Sequence, residues 1–258
     1  MSFEFDGEKY KKASAHQKEW GQKIISEFSF KGDEHILDLG SGDGLLTAFL
    51  ADLVPRGFVL GIDSSQGMID TAKTQERYNL QFKLIDINEL DFKDEFDLIF
   101  SNATLHWIKN HTGLLNNVFR ALKTGGKVRF NFAAEGNCIN FFRVVREIMA
   151  KTEFSHYFKD LEWPWYMPTI NQYEEIVKKI HFREFRVWHE NVDRYFPDMN
   201  AMTGWIDQPS IVPFLKYLDD DHKKQFRDMV VDQMIRETRQ DDGTCFETFR
   251  RVNLFAMK

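Results

Sequence analysis

The sequence is short of cysteine, of net positive charge and of long apolar runs. Two cysteines among 258 residues, Cys138 and Cys245, exclude a disulfide framework and a four-cysteine metal site, and they point to a reducing compartment. Lysine and arginine total 34 against 40 aspartates and glutamates, a formal net charge of −6. A protein that gains affinity by neutralising phosphates is normally basic, so no nucleic-acid partner is expected. No apolar run approaches the roughly 18 residues of a membrane span. The opening MSFEFDGEKY lacks the basic and apolar stretches of a secretory leader. The expectation is a soluble, cytoplasmic chain with no membrane partner; composition says nothing of oligomeric state. Aromatic side chains, in contrast, reach 15% of residues, 25 of them Phe. That supply suits aromatic-lined interior surface.

Residues 8–28 carry Tyr10, Ala13, Gln17, Trp20, Ile24 and Phe28 at spacings of three and four, the stripe of an amphipathic helix. Gln17 is the polar member of that stripe. From residue 35 the texture alternates: apolar runs at 35–39, 57–62, 80–85, 96–100 and 127–133, with helical patterns at 45–53, 65–77 and 110–123. Thr124-Gly125-Gly126 is expected to end the last of these helices. Strands alternating with helices predict a parallel sheet covered on both faces. Beyond Ala134, helices are expected at 138–151, 170–180, 199–206, 209–218 and 220–239, and strands at 185–196 and 245–257.

The sharpest local signal is ILDLGSGDG, residues 36–44. An apolar strand carries an acid, Asp38, and then glycines at every second position, Gly40, Gly42 and Gly44, before a helix begins. Glycines let backbone approach a ligand closely, and a helix N-terminus offers unpaired N–H groups. The loop is one residue tighter than the G-x-G-x-x-G of nicotinamide-binding proteins. Asp63 ends the second strand, where an acid can accept ribose hydroxyls. Asp86 follows the third strand, placed to accept from an exocyclic amine such as that of adenine. Three acids on three successive strand ends suit a ligand with a ribose, an adenine and positive charge, not a pyrophosphate.

These segments, ILDLGSGDG, GIDSS, LIDI and LKTGGKV in that order, resemble the class I S-adenosylmethionine-dependent methyltransferases over about residues 8–134. The resemblance implies an α/β fold: a doubly wound, mostly parallel seven-stranded Rossmann-like sheet with a reversed last strand and a helical cap. It implies one domain over 1–258, with the N-terminal helix and donor core in 1–134 and cap insertions plus C-terminal strands in 135–258. The implied cofactor is S-adenosyl-L-methionine, leaving as S-adenosyl-L-homocysteine. The implied donor contacts are Asp38, Gly40, Ser41, Gly42, Gly44, Asp63, Ser64, Met68, Asp86, Ile87 and Asn102.

Within that superfamily, YKKASAHQ at 10–17 and SNATLHWI at 101–108 resemble the juvenile hormone acid and trans-aconitate methyltransferases, and DGTCFETFRR at 242–251 resembles the trans-aconitate group. The resemblance implies a small carboxylic acid as acceptor, held by Gln17 and Trp107, with Tyr166 as a further acceptor contact. His106 is the candidate base, should the acceptor be a hydroxyl. Arg143, Arg146, Arg194, Arg250 and Arg251 are candidates for a second anionic group, and Phe141, Phe142, Trp163, Trp165, Tyr166, Trp188 and Trp205 for a specificity-giving cap. The segment after the fourth strand has no proline, unlike many methyltransferases of bases and amides, and neither cysteine follows proline as a cytosine-C5 nucleophile would. No metal site is expected. An alcohol, amine or carbon acceptor, and a non-catalytic donor-binding protein, stay open as alternatives.

Overall fold

The structure is a computed structural model that describes the backbone of residues 15–258 and the side chains of residues 19–208 and 210–258. The expected stripe positions Tyr10 and Ala13, and the side chain of Gln17, lie outside the described residues.

Helix α1 (Ala15–Ile25) precedes strand β1 (His35–Leu39), whose Ile36, Leu37 and Leu39 are fully buried. The chain then alternates α2 (Leu45–Leu53), β2 (Phe58–Asp63), α3 (Gln66–Ala72), β3 (Leu80–Leu84), β4 (Phe96–Asn102), α4 (His111–Ala121) and β5 (Leu122–Ala133). Strands β6 (Glu184–Asn191) and β9 (Arg250–Met257) complete a seven-stranded sheet of order β3-β2-β1-β4-β5-β9-β6. Every pair from β3 to β5 is parallel, and β9 runs antiparallel to β5. This is the doubly wound sheet with one reversed strand that the sequence implied.

Side-chain alternation on the strands sets the two faces. Ile36, Val59, Leu80 and Leu98 pack with Ile24, Leu50 and Ile69 from α1, α2 and α3. Leu37, Leu39, Leu60 and Ile99 point the other way, toward Leu115 and Val118 of α4 and Tyr173 and Val177 of α6 (Ile170–Val177). Strands buried on both faces read as unbroken apolar runs, which is why the sequence displayed them clearly.

The chain divides into two compact units. The first holds residues up to 135 together with 165–190 and 251–258; the second holds 136–164 and 191–250. Within the second, α5 (Ile139–Met149), α7 (Met199–Trp205), α8 (Val212–Leu215) and α9 (Asp220–Thr238) pack through aromatic contacts such as Phe141 with Trp205 and Phe154 with Phe226. A two-stranded sheet pairs β7 (Arg194–Phe196) with β8 (Cys245–Glu247).

Three sequence expectations differ. Helix α4 stops at Leu122, already extended, rather than at the glycines: Leu122 pairs with Phe96 of β4, the ladder resumes with Lys127 opposite Leu98, and between them the Gly125 N–H meets the carbonyl of Lys258 at 3.0 Å. The expected strand 245–257 is two strands in two sheets. It breaks because the Phe249 N–H goes to the carboxylate of Asp193 and the Thr248 carbonyl to the N–H of Cys138, so neither is left for a ladder. The expected strand 185–196 breaks at the same place from the other side, where the Val192 N–H takes the Phe249 carbonyl.

Candidate active site

Beyond β1 the chain turns through Gly40–Gly44 into α2. The N–H groups of Gly40 and Ser41 both donate to the carbonyl of Ile62, at 2.8 and 2.9 Å, fastening this loop to the end of β2. At Gly40, with φ +75°, a Cβ would stand 2.1 Å from Cγ2 of Thr104, so only glycine fits. At Gly42, with φ +54°, a Cβ would meet nothing within 4 Å: this backbone borders open space. Ser41 is buried, and its Oγ has no hydrogen-bond partner.

Asp63 closes β2 beside that loop. Its Oδ2 accepts from the Gly42 N–H at 3.0 Å and its Oδ1 from the Ser65 N–H at 2.9 Å. Ser64 is exposed, while Ser65 caps α3 and Met68 is buried in its first turn. Asp86 accepts from both the backbone and side-chain N–H of Asn88, at 2.8 and 2.7 Å, and so caps the short turn Ile87–Glu89. Asp38 lies inside β1, 3% exposed, with the Thr47 hydroxyl donating to Oδ2 at 2.7 Å. Burial pushes its carboxyl up to about 7; the Thr47 bond opposes this and the nearby charge of Asp63 adds to it.

On the other side of the loop, β4 ends at Asn102 and Ala103 follows in the left-handed region, φ +58°. The Ala103 N–H donates to the carbonyl of Asn131 at 2.7 Å. A short turn, Leu105–Trp107, then presents His106 and Trp107. The Tyr166 N–H donates to the His106 carbonyl at 2.7 Å, the Tyr166 ring packs at 4.8 Å from His111, and the Trp165 ring packs tilted against Trp107, centroids 5.3 Å apart. His106 is half-buried as a residue, and its Nδ1 is sealed off and has no partner. Burial first, and then the positive charge of Arg251, hold its pKa down at about 3. That imidazole is neutral and a weak base.

Helix α1 lies across this end of the sheet. A Cβ on Gly21 would stand 2.3 Å from Leu46 Cδ1 and 3.2 Å from Asn102 Nδ2, so the helix is seated closely at the end of β4. Gln17 lies four residues earlier in the same helix. The expected meeting of its side chain with Trp107 lies outside the described residues. Of the aromatics expected in the cap, Trp165, Tyr166 and Trp188 belong to the first unit, whereas Phe141, Phe142, Trp163 and Trp205 belong to the second. Sequence reasoning missed Thr47, Thr104 and Asn131. Thr47 was findable, as a hydroxyl on the first turn of the helix after the glycines; Thr104 and Asn131 act through long-range contacts that no spacing reveals.

Comparison with known proteins agrees with this geometry. A family described as "Methyltransferase domain" matches residues 36–126. An uncharacterised methyltransferase of Schizosaccharomyces pombe is 28% identical over 242 residues, covering 91% of this chain and 90% of that protein. The trans-aconitate 2-methyltransferase of Deinococcus radiodurans is 44% identical over 91 residues, 35% of this chain and 34% of that enzyme. Among solved structures, phosphoethanolamine N-methyltransferase 2 of Haemonchus contortus, bound to phosphomonomethylethanolamine and S-adenosylhomocysteine, superposes with a TM-score of 0.59 at 22% identity. That alignment covers 93% of this chain, which spans about half (52%) of the nematode chain.

The chain is a class I S-adenosylmethionine-dependent methyltransferase. Within that class it stands near the trans-aconitate type. Its cofactor is S-adenosylmethionine, and the residues present fit that group: an orphaned Ser41 hydroxyl, open space at Gly42 and acids on three successive strand ends are what a cationic adenosyl ligand requires. Among the described residues no helix is long and apolar enough to cross a membrane.

Proposed function

We propose that the protein esterifies a carboxylate of a small-molecule acceptor. Gly40, Ser41, Gly42 and Gly44, with Asp38 and Asn102, border the methionyl part of the donor; Asp63 and Ser64 take the ribose; Met68, Asp86 and Ile87 take the adenine. S-adenosylmethionine, when bound, supplies a methyl group activated by the sulfonium sulfur. Trp107 and Gln17 present neutral N–H donors to the acceptor carboxylate, and Tyr166 braces the His106–Trp107 turn from behind. Neutral donors orient a carboxylate without the tight ion pairing that would blunt its attack.

The observation that carries this reading is His106. A carboxylate is already ionised near neutral pH and needs no base, whereas a hydroxyl acceptor is helped by one, and the imidazole best placed for that work has Nδ1 sealed off with no group to orient or activate it, its pKa held down by burial. The resemblance to trans-aconitate methyltransferases supports the same acceptor class. The test is methyl transfer from labelled donor to panels of small acids, alcohols and amines. A product whose label is released as methanol by mild alkali is an ester and supports the proposal. An alkali-stable methyl product, with no acid accepted, overturns it.

A further inference from the structure

His111, the first residue of α4, is 2% exposed, and Tyr173 of α6 is fully buried. Both carry polar groups into apolar surroundings, and their rings pack on each other and on Phe132 with centroids 5.0–5.3 Å apart. His111 Nε2 stands 3.0 Å from the Leu105 carbonyl, and Nδ1 stands 3.3 Å from the Tyr173 hydroxyl. A carbonyl oxygen only accepts, so Nε2 bears the ring proton. Nδ1 is then bare and accepts from the phenol. Burial pushes the Tyr173 hydroxyl up, so it keeps the proton it donates. Burial likewise holds the imidazole neutral, its pKa down at about 4. Tautomer and ring orientation are both fixed.

The Leu105 carbonyl does not need His111 for its own satisfaction, because it already accepts the Ile108 N–H at 3.0 Å. The extra bond sets the tilt of the peptide that opens the turn, one residue before His106 and two before Trp107. The same imidazole packs on the Tyr166 ring, centroids 4.8 Å apart, and the Tyr166 N–H holds the His106 carbonyl at 2.7 Å. His111 therefore joins the two segments assigned to the acceptor. Packing alone gives no reason for the pair: two apolar rings would fill similar space without the cost of desolvating polar groups.

We propose that His111 is a positioning residue for methyl transfer, aiming Trp107 and His106 at the acceptor through the Leu105 carbonyl and the Tyr166 ring, with Tyr173 locking its tautomer. This rests on the reading above that the Leu105–Trp107 turn and Tyr166 border the acceptor. An in-line displacement tolerates little misalignment, and about 1 Å of misplacement can cost on the order of 10²-fold in rate.

The test uses the full-length enzyme and follows transfer from labelled S-adenosylmethionine to whichever member of the acid, alcohol and amine panels the wild type methylates fastest. His111→Phe combined with Tyr173→Phe replaces both partners by rings of similar shape, so the melting temperature should stay within about 5 °C. In that double variant kcat is expected to fall by about 10–100-fold, with the acceptor KM and the calorimetric affinity for S-adenosylhomocysteine each within about threefold. His111→Gln can still donate to the Leu105 carbonyl and accept from Tyr173, and it should hold kcat within about fivefold of the wild type. A folded double variant with full kcat overturns the proposal, and so does one in which kcat and donor affinity fall together. Should the double variant not fold, Tyr173→Phe alone decides: kcat should drop by about threefold or more, and an unchanged kcat overturns the proposal. Nitrogen NMR shifts of the wild-type imidazole need no turnover. They should report a protonated Nε2 and a bare Nδ1, and the opposite tautomer overturns the proposal. Trp107→Phe tells the two readings apart. If it leaves acceptor KM and kcat untouched, the acceptor assignment of the turn falls. If it impairs transfer while the double variant keeps full kcat, the positioning role of His111 falls alone.

Discussion

The backbone N–H of Gly42 and the carboxylate of Asp63 meet at 3.0 Å across 21 positions of sequence. The loop after β1 and the tip of β2 therefore form one rim, and the acid proposed to take the ribose also holds Gly42, whose backbone borders open space. Asp63→Ala removes both functions. Donor affinity is expected to fall by about 1.5–3 kcal/mol, the range for hydrogen bonds to a charged group. Calorimetry with S-adenosylhomocysteine checks this; an unaltered dissociation constant would contradict the ribose assignment.

Asp38 makes donor binding depend on pH. Its folded pKa, raised from 3.8 to about 7, means that the free protein carries a proton there below neutrality. A positively charged donor favours the ionised form, so binding expels that proton. S-adenosylmethionine affinity should rise with pH up to about 7, by no more than about tenfold per unit, and then level off. Stability of the free protein runs the other way. The folded state holds the proton more tightly than the unfolded, so the contribution is complete below about 4 and is lost as pH climbs through 7. Asp38→Asn should flatten the binding profile, and above pH 7 it should raise the melting temperature of the ligand-free protein.

His106 should be silent in the pH–rate profile. With its pKa at about 3 it does not change charge between pH 5 and 9. His106→Asn is expected to lower kcat by less than about tenfold, well short of the 10²–10⁴-fold cost of losing a general base. An acid limb near pH 6.5 that vanishes in the variant would assign it base work after all.

Gln17→Ala should separate acceptor from donor. The residue sits one helical turn before Gly21, whose missing side chain lets α1 close on Leu46 and Asn102. Esterification should weaken by about 10-fold or more in kcat/KM, one neutral hydrogen bond with its orienting effect. Donor affinity should stay within about twofold. A variant with full activity on every acid that the wild type accepts would remove Gln17 from the site.

The parallel core was legible because strands covered on both faces announce themselves as apolar runs, and because glycines spaced two apart between a strand and a helix permit few conformations. Chain ends of elements were less legible. Gly125 reads as a helix terminator, but long-range pairing with Lys258 draws the chain into the sheet three residues sooner. Arg251 read as one of five arginines that could take a second anionic group. Its burial follows from β5, where Val128, Phe130 and Phe132 face one way and Arg129 and Asn131 the other. Arg129 is matched there by a two-pronged bond to Glu27 of 2.8 and 3.0 Å, and Asn131 holds Arg251. Polar residues alternating with buried phenylalanines mark a strand whose second face is also covered, but the partner groups come from residues 100 or more positions away.

Ala103 shows what such anchoring permits. An alanine at φ +58° is strained by about 1–2 kcal/mol relative to an ordinary conformation. Glycine would relieve that strain, at the cost of a more disordered unfolded chain, so Ala103→Gly is nearly neutral for stability. What the alanine confers is stiffness. The turn bearing His106 and Trp107 can leave its position only by breaking the bond to Asn131, which makes it a rigid jaw instead of a hinged one. Glycine there would leave the melting temperature nearly unchanged and slow turnover, a loss of pre-organisation that no thermal scan would register.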